Sequence, residues 1–438
     1  MSSQHESSAV FVRKEMVPAS PPPASTTGAI GWVRENLFSS ITNSILTVIG
    51  LLTVGFVLMH LLPWLFNSVW SAGSLTECRE IRDIEFGEGA TFSCFAVITD
   101  RWHQLMFGFY PSDGYWRPTL AFVIFLVAMA PVLFSGLPRK LLYVTVAFPF
   151  LAYFLLWGGS FWGPVAVGIG FAIGYALLTQ LPRYTGSLVA FIAAIVGPVL
   201  YWLLIVGFVI DGLNAIVPIE LEFVPSDDFG GFMLALVIGV AGILLSLPLG
   251  IVLALGRQSN LLIINKSSVV FIEVIRGVPL IVWLFTASLL LNYFLPPGTN
   301  FDLMLRVIIM VTLFSAAYIA EVVRGGLAAL PRGQYEAADS LGLDYWKAMR
   351  LIILPQALKI SIPGIVNTFI GLFKDTVLVV FIGMLDPIGL SNAIRATTDW
   401  NGIYWELFVF IGLLFFICCF SMSRYSMYLE KKLHTGHR

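Results

Sequence analysis

Charge is what this sequence has least of. Only 12% of its 438 residues are Asp, Glu, Lys or Arg, against roughly 25% in soluble domains, and 58% are hydrophobic. An ordinary soluble fold is excluded. The 25 basic and 26 acidic residues leave a formal net charge of −1, so no basic field points to a nucleic-acid partner and none is expected. Cysteine is scarce too: four residues, with no C-x-x-C and no metal-ligand spacing. Of five histidines, His5, His434 and His437 lie in polar ends, His103 in a polar loop and His60 in an apolar run, none beside a carboxylate or cysteine at ligand spacing. Neither a G-x-x-x-x-G-K-S/T phosphate loop nor a G-x-S-x-G elbow occurs. No metal site and no cofactor site is expected on this chain, and any ATP has to be held by another subunit.

What the chain has in quantity is long apolar runs. A bilayer span needs about 20 such residues. Ten stretches qualify: 43–66, 119–137, 141–158, 164–181, 187–210, 229–255, 268–294, 303–323, 360–383 and 403–423. The expected fold class is all-α, a polytopic membrane protein with about ten transmembrane helices in contact with membrane lipid. Residues 1–38, with Pro21, Pro22 and Pro23 and many serines, read as a disordered tail. The first apolar run is long enough to span rather than to be cleaved as a signal. Short loops that resist translocation keep Lys and Arg, and here Arg139, Lys140, Arg183, Arg257, Lys266, Arg324, Arg332, Lys347, Arg350, Lys359, Arg424, Lys431 and Lys432 fall on alternate loops. This places both termini in the cytoplasm, including a tail at 431–438. The loop near 67–118 then lies outside and holds Cys78 and Cys94; these either pair, closing a loop worth about 3 kcal/mol in the chain-entropy picture, or remain buried thiols. Cys418 and Cys419 read as packing residues in the last span.

The segment between the eighth and ninth spans carries the most information. Pro331-Arg-Gly-Gln-Tyr-Glu336-Ala337-Ala338-Asp339-Ser340-Leu341-Gly342 reads as a helix ended by glycine; Asp344 caps a second helix and Pro355 marks a further bend. Tyr335, Ala338, Leu341 and Trp346 form an apolar side suited either to a groove in another protein or to the lipid surface. Glu336-Ala337-Ala338, Gly342 and Ile352-x-Leu354-Pro355 resemble the EAA loop of bacterial ABC importer permeases. Ile275-Arg276-Gly277-Val278-Pro279-Leu280, Ala317 to Gly326 (AYIAEVVRGG) and Gly371-Leu372-Phe373-Lys374-Asp375-Thr376 resemble the polar amino-acid permeases of the histidine and glutamine type.

That resemblance implies a type I ABC importer permease core over 225–430, including the coupling loop 331–355, with additional transmembrane helices over 39–224. The extra helices and large outer loop are similar to the longer permease subunit of general L-amino-acid and glutamate/glutamine/aspartate/asparagine importers. The resemblance further implies residence in the bacterial inner membrane, a second permease subunit, an ATPase dimer that binds ATP and magnesium, and a periplasmic amino-acid-binding protein. Glu336, Ala337, Ala338, Gly342, Leu354 and Pro355 are the expected coupling residues, and Glu, Gln, Asp and Asn the expected cargo. The chain itself is then no enzyme.

A zwitterion in hydrocarbon needs a cation for its carboxylate and a carboxylate or carbonyls for its ammonium, which makes ionisable residues within spans the candidates. Lys374 and Asp375 lie far from either end of the ninth run, where an unpaired charge costs about 2.5 to 3.5 kcal/mol; they either touch substrate or pair structurally. Glu273 with Arg276, and Glu321 with Arg324, are three apart and can meet on one helix face. Gly277 and Pro279 can break their helix and free backbone carbonyls. Arg276, Glu321, Asn367, Lys374 and Asp375 are the expected pathway residues. Ten spans with buried charges also suit an ion-driven secondary amino-acid transporter; a multispanning enzyme has no catalytic group to use.

Overall fold

The computed structural model describes residues 28–134, 136–290 and 301–434. Among them nine helices are long and apolar enough to cross a bilayer, ten when Leu262–Gly277 and Leu280–Leu290 count as one bent span. The chain is all-α and multi-pass, as its apolar runs dictate. It divides into two units, Met1–Val69 with Arg79–Ser93, and Trp70–Cys78 with Cys94–Arg438.

In the first unit α1 (Gly28–Asn36) corrects the expectation of disorder through residue 38. Ile30, Trp32 and Val33 give this stretch helix-forming apolar content that the proline run before it lacks, and Asn36 Nδ2 donates to Trp32 O at 2.9 Å. Residues 1–27 lie outside the described part. α2 (Ile41–Phe66) starts where the Ser40 side chain accepts the Asn43 N–H at 3.1 Å. At its far end Asn67 donates its amide to Thr91 O at 3.0 Å and accepts the Ser93 N–H at 3.1 Å.

The second unit takes in the start of α3 (Leu75–Glu85) as far as Cys78, then α4 (Ala96–Asp100) and α5 (Trp102–Phe107). Cys78 and Cys94 are disulfide-bonded with Cα atoms 6.0 Å apart. Then come α6 (Trp116–Leu133) and α7 (Leu142–Trp157), packed as one antiparallel pair, and α8 (Trp162–Gln180), which packs on α10 (Ser187–Leu204) after the single turn α9 (Pro182–Thr185). The expected span 187–210 stops at Leu204, and α11 (Val206–Ile216) is a separate short helix. Arg117 is buried and substitutes carbonyls for a counter-ion: Nε donates to Leu155 O at 2.7 Å and Nη1 to Glu222 O at 2.9 Å. Gly158 makes this close approach feasible. Its φ is +76°, and a Cβ there would sit 2.1 Å from Glu222 O.

Among the described residues there follow the α-helices α12 (Gly231–Arg257), α13 (Leu262–Gly277), α14 (Leu280–Phe285), α15 (Leu303–Ala328), α16 (Arg332–Ser340), α17 (Tyr345–Ala348), α18 (Leu354–Asp375), α19 (Pro387–Arg395) and α20 (Trp405–His434). α12 and α15 form the central pair; at their crossing a Cβ on Gly250 would lie 2.6 Å from Ile319. Lipid tails are as apolar as these helices, so close contact of this kind holds them together rather than expulsion of water. The expected single span 268–294 is instead α13 and a second segment at 101°, hinged where Gly277 ends one helix and Pro279 starts the next; 291–294 lie outside the described residues. α20 runs to His434, so Lys431 and Lys432 belong to its last turns rather than to a tail. Two buried clusters occupy opposite ends of this bundle. One, around Leu234, Leu284, Met304 and Val379, includes Tyr110 and Leu155 from the N-terminal half; the other joins Ile272, Ile319, Leu327 and Ile353. The ends are called here the disulfide end and the basic end.

At the disulfide end the early loop is bound to the last helices. The carboxylate of Glu406 accepts the Cys94 N–H at 2.9 Å, Trp400 donates its indole N–H to Asp100 at 3.0 Å, and Leu75 N donates to Asp399 O at 2.8 Å.

Candidate functional site

The basic end carries the projecting loop. α15 ends at Ala328, and Pro331 stands at the start of α16. The end of α16 is a Schellman closure: Leu343 N donates to Ala338 O at 3.2 Å, Gly342 N to Asp339 O at 2.9 Å, and Gly342 has φ +68°. Asp344 then caps α17, accepting the Lys347 N–H at 2.9 Å, with Lys347 Nζ also 2.9 Å away. Those contacts, the Lys347 N–H first, hold its carboxyl below the usual range. The chain widens to π-type geometry over Met349–Ile353 and continues into α18. No sharp break marks Pro355, contrary to expectation: Tyr345–Ile382 runs as one apolar length, and the widened turn over Met349–Ile353 just before it accommodates the missing proline N–H.

The expected apolar side is divided. Ala338 is buried against the bundle and Tyr335 half-buried, while Leu341 and Trp346 are 72% and 70% exposed. Burial, and secondarily Tyr345, raises the Tyr335 hydroxyl above its ordinary value. Gln356 Nε2 donates to Gln334 Oε1 at 3.0 Å and ties α16 to α18. Glu336, Ala337, Gly342 and Pro355 are exposed and Leu354 half-buried. The loop thus leaves two large apolar side chains, Leu341 and Trp346, exposed among charged and polar neighbours.

Behind it lies an ionic cluster. Glu321 on α15 meets Arg257 of α12 at 2.7 Å, Arg276 of α13 at 3.7 Å and Arg324 at 3.1 Å. Arg257 also reaches Glu273 at 2.9 Å. The expected Glu321–Arg324 pair is present. Glu273 turns to Arg257 rather than to Arg276, whose guanidinium lies 5.2 Å above the Tyr318 ring. Three helices are thus joined by three cations around one carboxylate.

Asn367, Lys374 and Asp375 stand apart from that cluster, on α18. Asn367 and Lys374 are exposed and seven residues apart, which places them on one face. Gly371 lies between them, and a Cβ there would meet nothing within 4 Å. Among the described residues Lys374 and Asp375 have no ion-pair partner within 4.0 Å, so they do not neutralise each other by direct contact. Both sit where α18 tightens into a 3₁₀ turn at Thr376–Ile382, inside the apolar length Tyr345–Ile382. A break in helical geometry within a span, beside charges of both signs, can receive an ammonium and a carboxylate.

Three charged groups have structural roles that the sequence alone does not reveal. Arg257 was only a marker of loop side; its position at a helix end gives no hint of partners on two other helices. Arg117 is an arginine at the start of an apolar run, which alone reads as an interfacial anchor. Asp386 precedes Pro387 as a loop residue would, yet it is fully buried and caps α19 through the Gly389 N–H at 2.8 Å. Its burial, opposed by the N–H groups of Gly389 and Ile388, pushes its carboxyl up to about 6. Among the described residues no group of three His, Cys, Asp or Glu side chains is placed to hold a metal ion.

Residues 246–435 match the family described as binding-protein-dependent transport system inner membrane component. The glutamate/glutamine/aspartate/asparagine transport system permease protein BztC of Rhodobacter capsulatus is 59% identical over 98% of this chain and 99% of its own length. The inner membrane amino-acid ABC transporter permease protein YhdY of Escherichia coli is 40% identical over 95% of this chain and 96% of its own. The crystal structure of an amino acid ABC transporter with histidines aligns at 30% identity over 46% of this chain and 91% of that one, with a TM-score of 0.41.

Proposed function

The chain belongs to the inner-membrane permeases of binding-protein-dependent, ATP-binding-cassette transport systems, and from that premise we propose that it is the subunit through which polar amino acids, namely Glu, Gln, Asp and Asn, enter the cell. Its relatives of the same full length support the cargo class. Both termini and the projecting loop face the cytoplasm, where basic loops remain. There Glu336, Ala337, Ala338, Gly342, Leu354 and Pro355 form the element that seats in a cleft of an ATPase dimer, which alone binds ATP and magnesium. A second, different permease subunit completes the channel, and a periplasmic binding protein delivers the amino acid at the disulfide end. Asn367, Lys374 and Asp375 contact the cargo in transit; Arg276 and Glu321 stand at its cytoplasmic exit.

The observation that carries this reading is the projecting Trp346 and Leu341 on a loop fixed by a Schellman closure, since two such side chains on a stiff projection suit a protein groove. Co-purification tests it. Wild-type chain is expected to bring down its ATPase subunit, and Trp346→Glu to lose it while remaining in the membrane fraction. Equal recovery of the ATPase with both would refute the assignment of the loop.

A further inference from the structure

At the disulfide end a cavity of about 560 Å³ opens between α5 and the start of α6, within the size range of about 300 to 1,000 Å³ typical of small-ligand sites. Trp102, His103 and Phe107 line it from α5, Tyr115 from the residue before α6, and Leu120 and Val123 from α6 itself. Its lining contains no Asp, Glu, Lys or Arg. Tyr115 is fixed by stacked rings, His103 at 4.9 Å and Phe107 at 5.2 Å.

Two features define what fits. The α6 side belongs to the apolar length Ser112–Leu133, and its exposed Leu120 and Val123 continue along one face to exposed Val127, so the cavity is continuous with an exposed apolar face of α6. The α5 side lies outside that length. Trp102, and Trp116 beside it on the lining, are 42% and 52% exposed, and among the described residues neither indole N–H has an acceptor in the protein. Apolar surface along α6 and unused N–H donors on α5 and at the first residue of α6 match a molecule with a hydrocarbon tail and acceptor oxygens at its head, the chemistry of the bilayer boundary.

We propose that this cavity holds one phospholipid of the outer leaflet, its acyl chain along Leu120 and Val123 and its ester or phosphate oxygens accepting from the tryptophans. The site bears on the transport core. The opposite side of α5 buries Leu105, and the Gly108 that follows lies so close to Gly230 that a Cβ would come within 2.4 Å of its backbone. Gly231 N in turn donates to Leu385 O at 2.8 Å. The lipid therefore backs the helix that braces the start of α12 and the turn before α19.

The test uses the whole transporter, reconstituted into nanodiscs of phosphatidylethanolamine and phosphatidylglycerol, extracted into mild detergent and weighed by native mass spectrometry. Wild type is expected to keep one phospholipid per copy of this chain, and Val123→Trp, which fills the cavity, to keep none. Absence of retained lipid on the wild type, or unchanged retention in Val123→Trp, overturns the proposal. If that variant misfolds, lipids brominated along the chain provide the second measurement on the wild-type scaffold, with Trp102→Phe identifying the signal. Quenching of Trp102 is expected to persist after transfer to unbrominated nanodiscs; full recovery of fluorescence at the rate of bulk lipid exchange overturns it.

Discussion

Arg257 Nη1 lies 2.7 Å from Glu321 Oε1, joining the last turn of one long helix to the interior of another. The same carboxylate meets Arg276 and Arg324 and, together with Glu273 on Arg257, offsets the mutual repulsion of three cations.

Glu321→Gln is therefore expected to destabilise the protein. Removing one partner from a fully buried ion pair costs about 3 to 5 kcal/mol. The side chains here are 18% to 41% exposed, and solvent screening reduces the loss to about 1 to 2 kcal/mol. Thermal unfolding of the detergent-solubilised protein measures it, and a paired Arg276→Gln is expected to restore part of the loss by removing one unbalanced cation. An unchanged melting temperature in Glu321→Gln would show that the cluster does not hold the three helices.

Asp386 makes an opposite prediction about pH. Its folded-state value of about 6 lies above the ordinary 3.8, so the folded protein binds this proton more tightly than the unfolded chain does. Stability from this group is thus greatest below about 3.8, declines as pH rises to about 6, and stays low above it. The full cost is a few kcal/mol, at about 1.4 kcal/mol for each pH unit between the two values. Asp386→Asn keeps the helix cap and removes the charge. It is expected to raise the melting temperature at pH 7.5 and to change it little at pH 4; an equal effect at both would contradict the assignment.

Lys374→Met and Asp375→Asn test the proposed passage of the amino acid. A hydrogen bond to a charged group is worth about 1.5 to 3 kcal/mol, which corresponds to about tenfold or more in substrate-stimulated ATP hydrolysis at subsaturating substrate. The basal rate is expected to stay the same in both. Unaltered substrate stimulation in both variants would remove these residues from the passage.

The legibility of these features followed their distance along the chain. The glycine stop at Gly342, the Asp344 cap and the Gly277/Pro279 hinge depend on neighbours within a few residues and could be read directly, although the 101° angle could not. The tightening of α18 after Asp375 was invisible, because Thr376-Val377-Leu378 contains neither glycine nor proline. Glu273 and Arg276 have the right spacing to pair, yet packing of α12 on α13 supplies a better placed Arg257. Asp386 and Glu406 look like loop and helix-start acids; only the fold reveals that both are buried, Glu406 beneath the early loop at Cys94.

The most direct measurement is uptake of labelled glutamate and glutamine by proteoliposomes containing this chain, its partner permease and the ATPase, with binding protein and ATP on opposite sides. Accumulation is expected only when ATP is present, and Glu336→Lys is expected to abolish it without altering the amount of protein in the membrane. Accumulation by this chain alone, driven by an ion gradient without ATP, would contradict the coupling role assigned to the loop and favour a self-sufficient transporter.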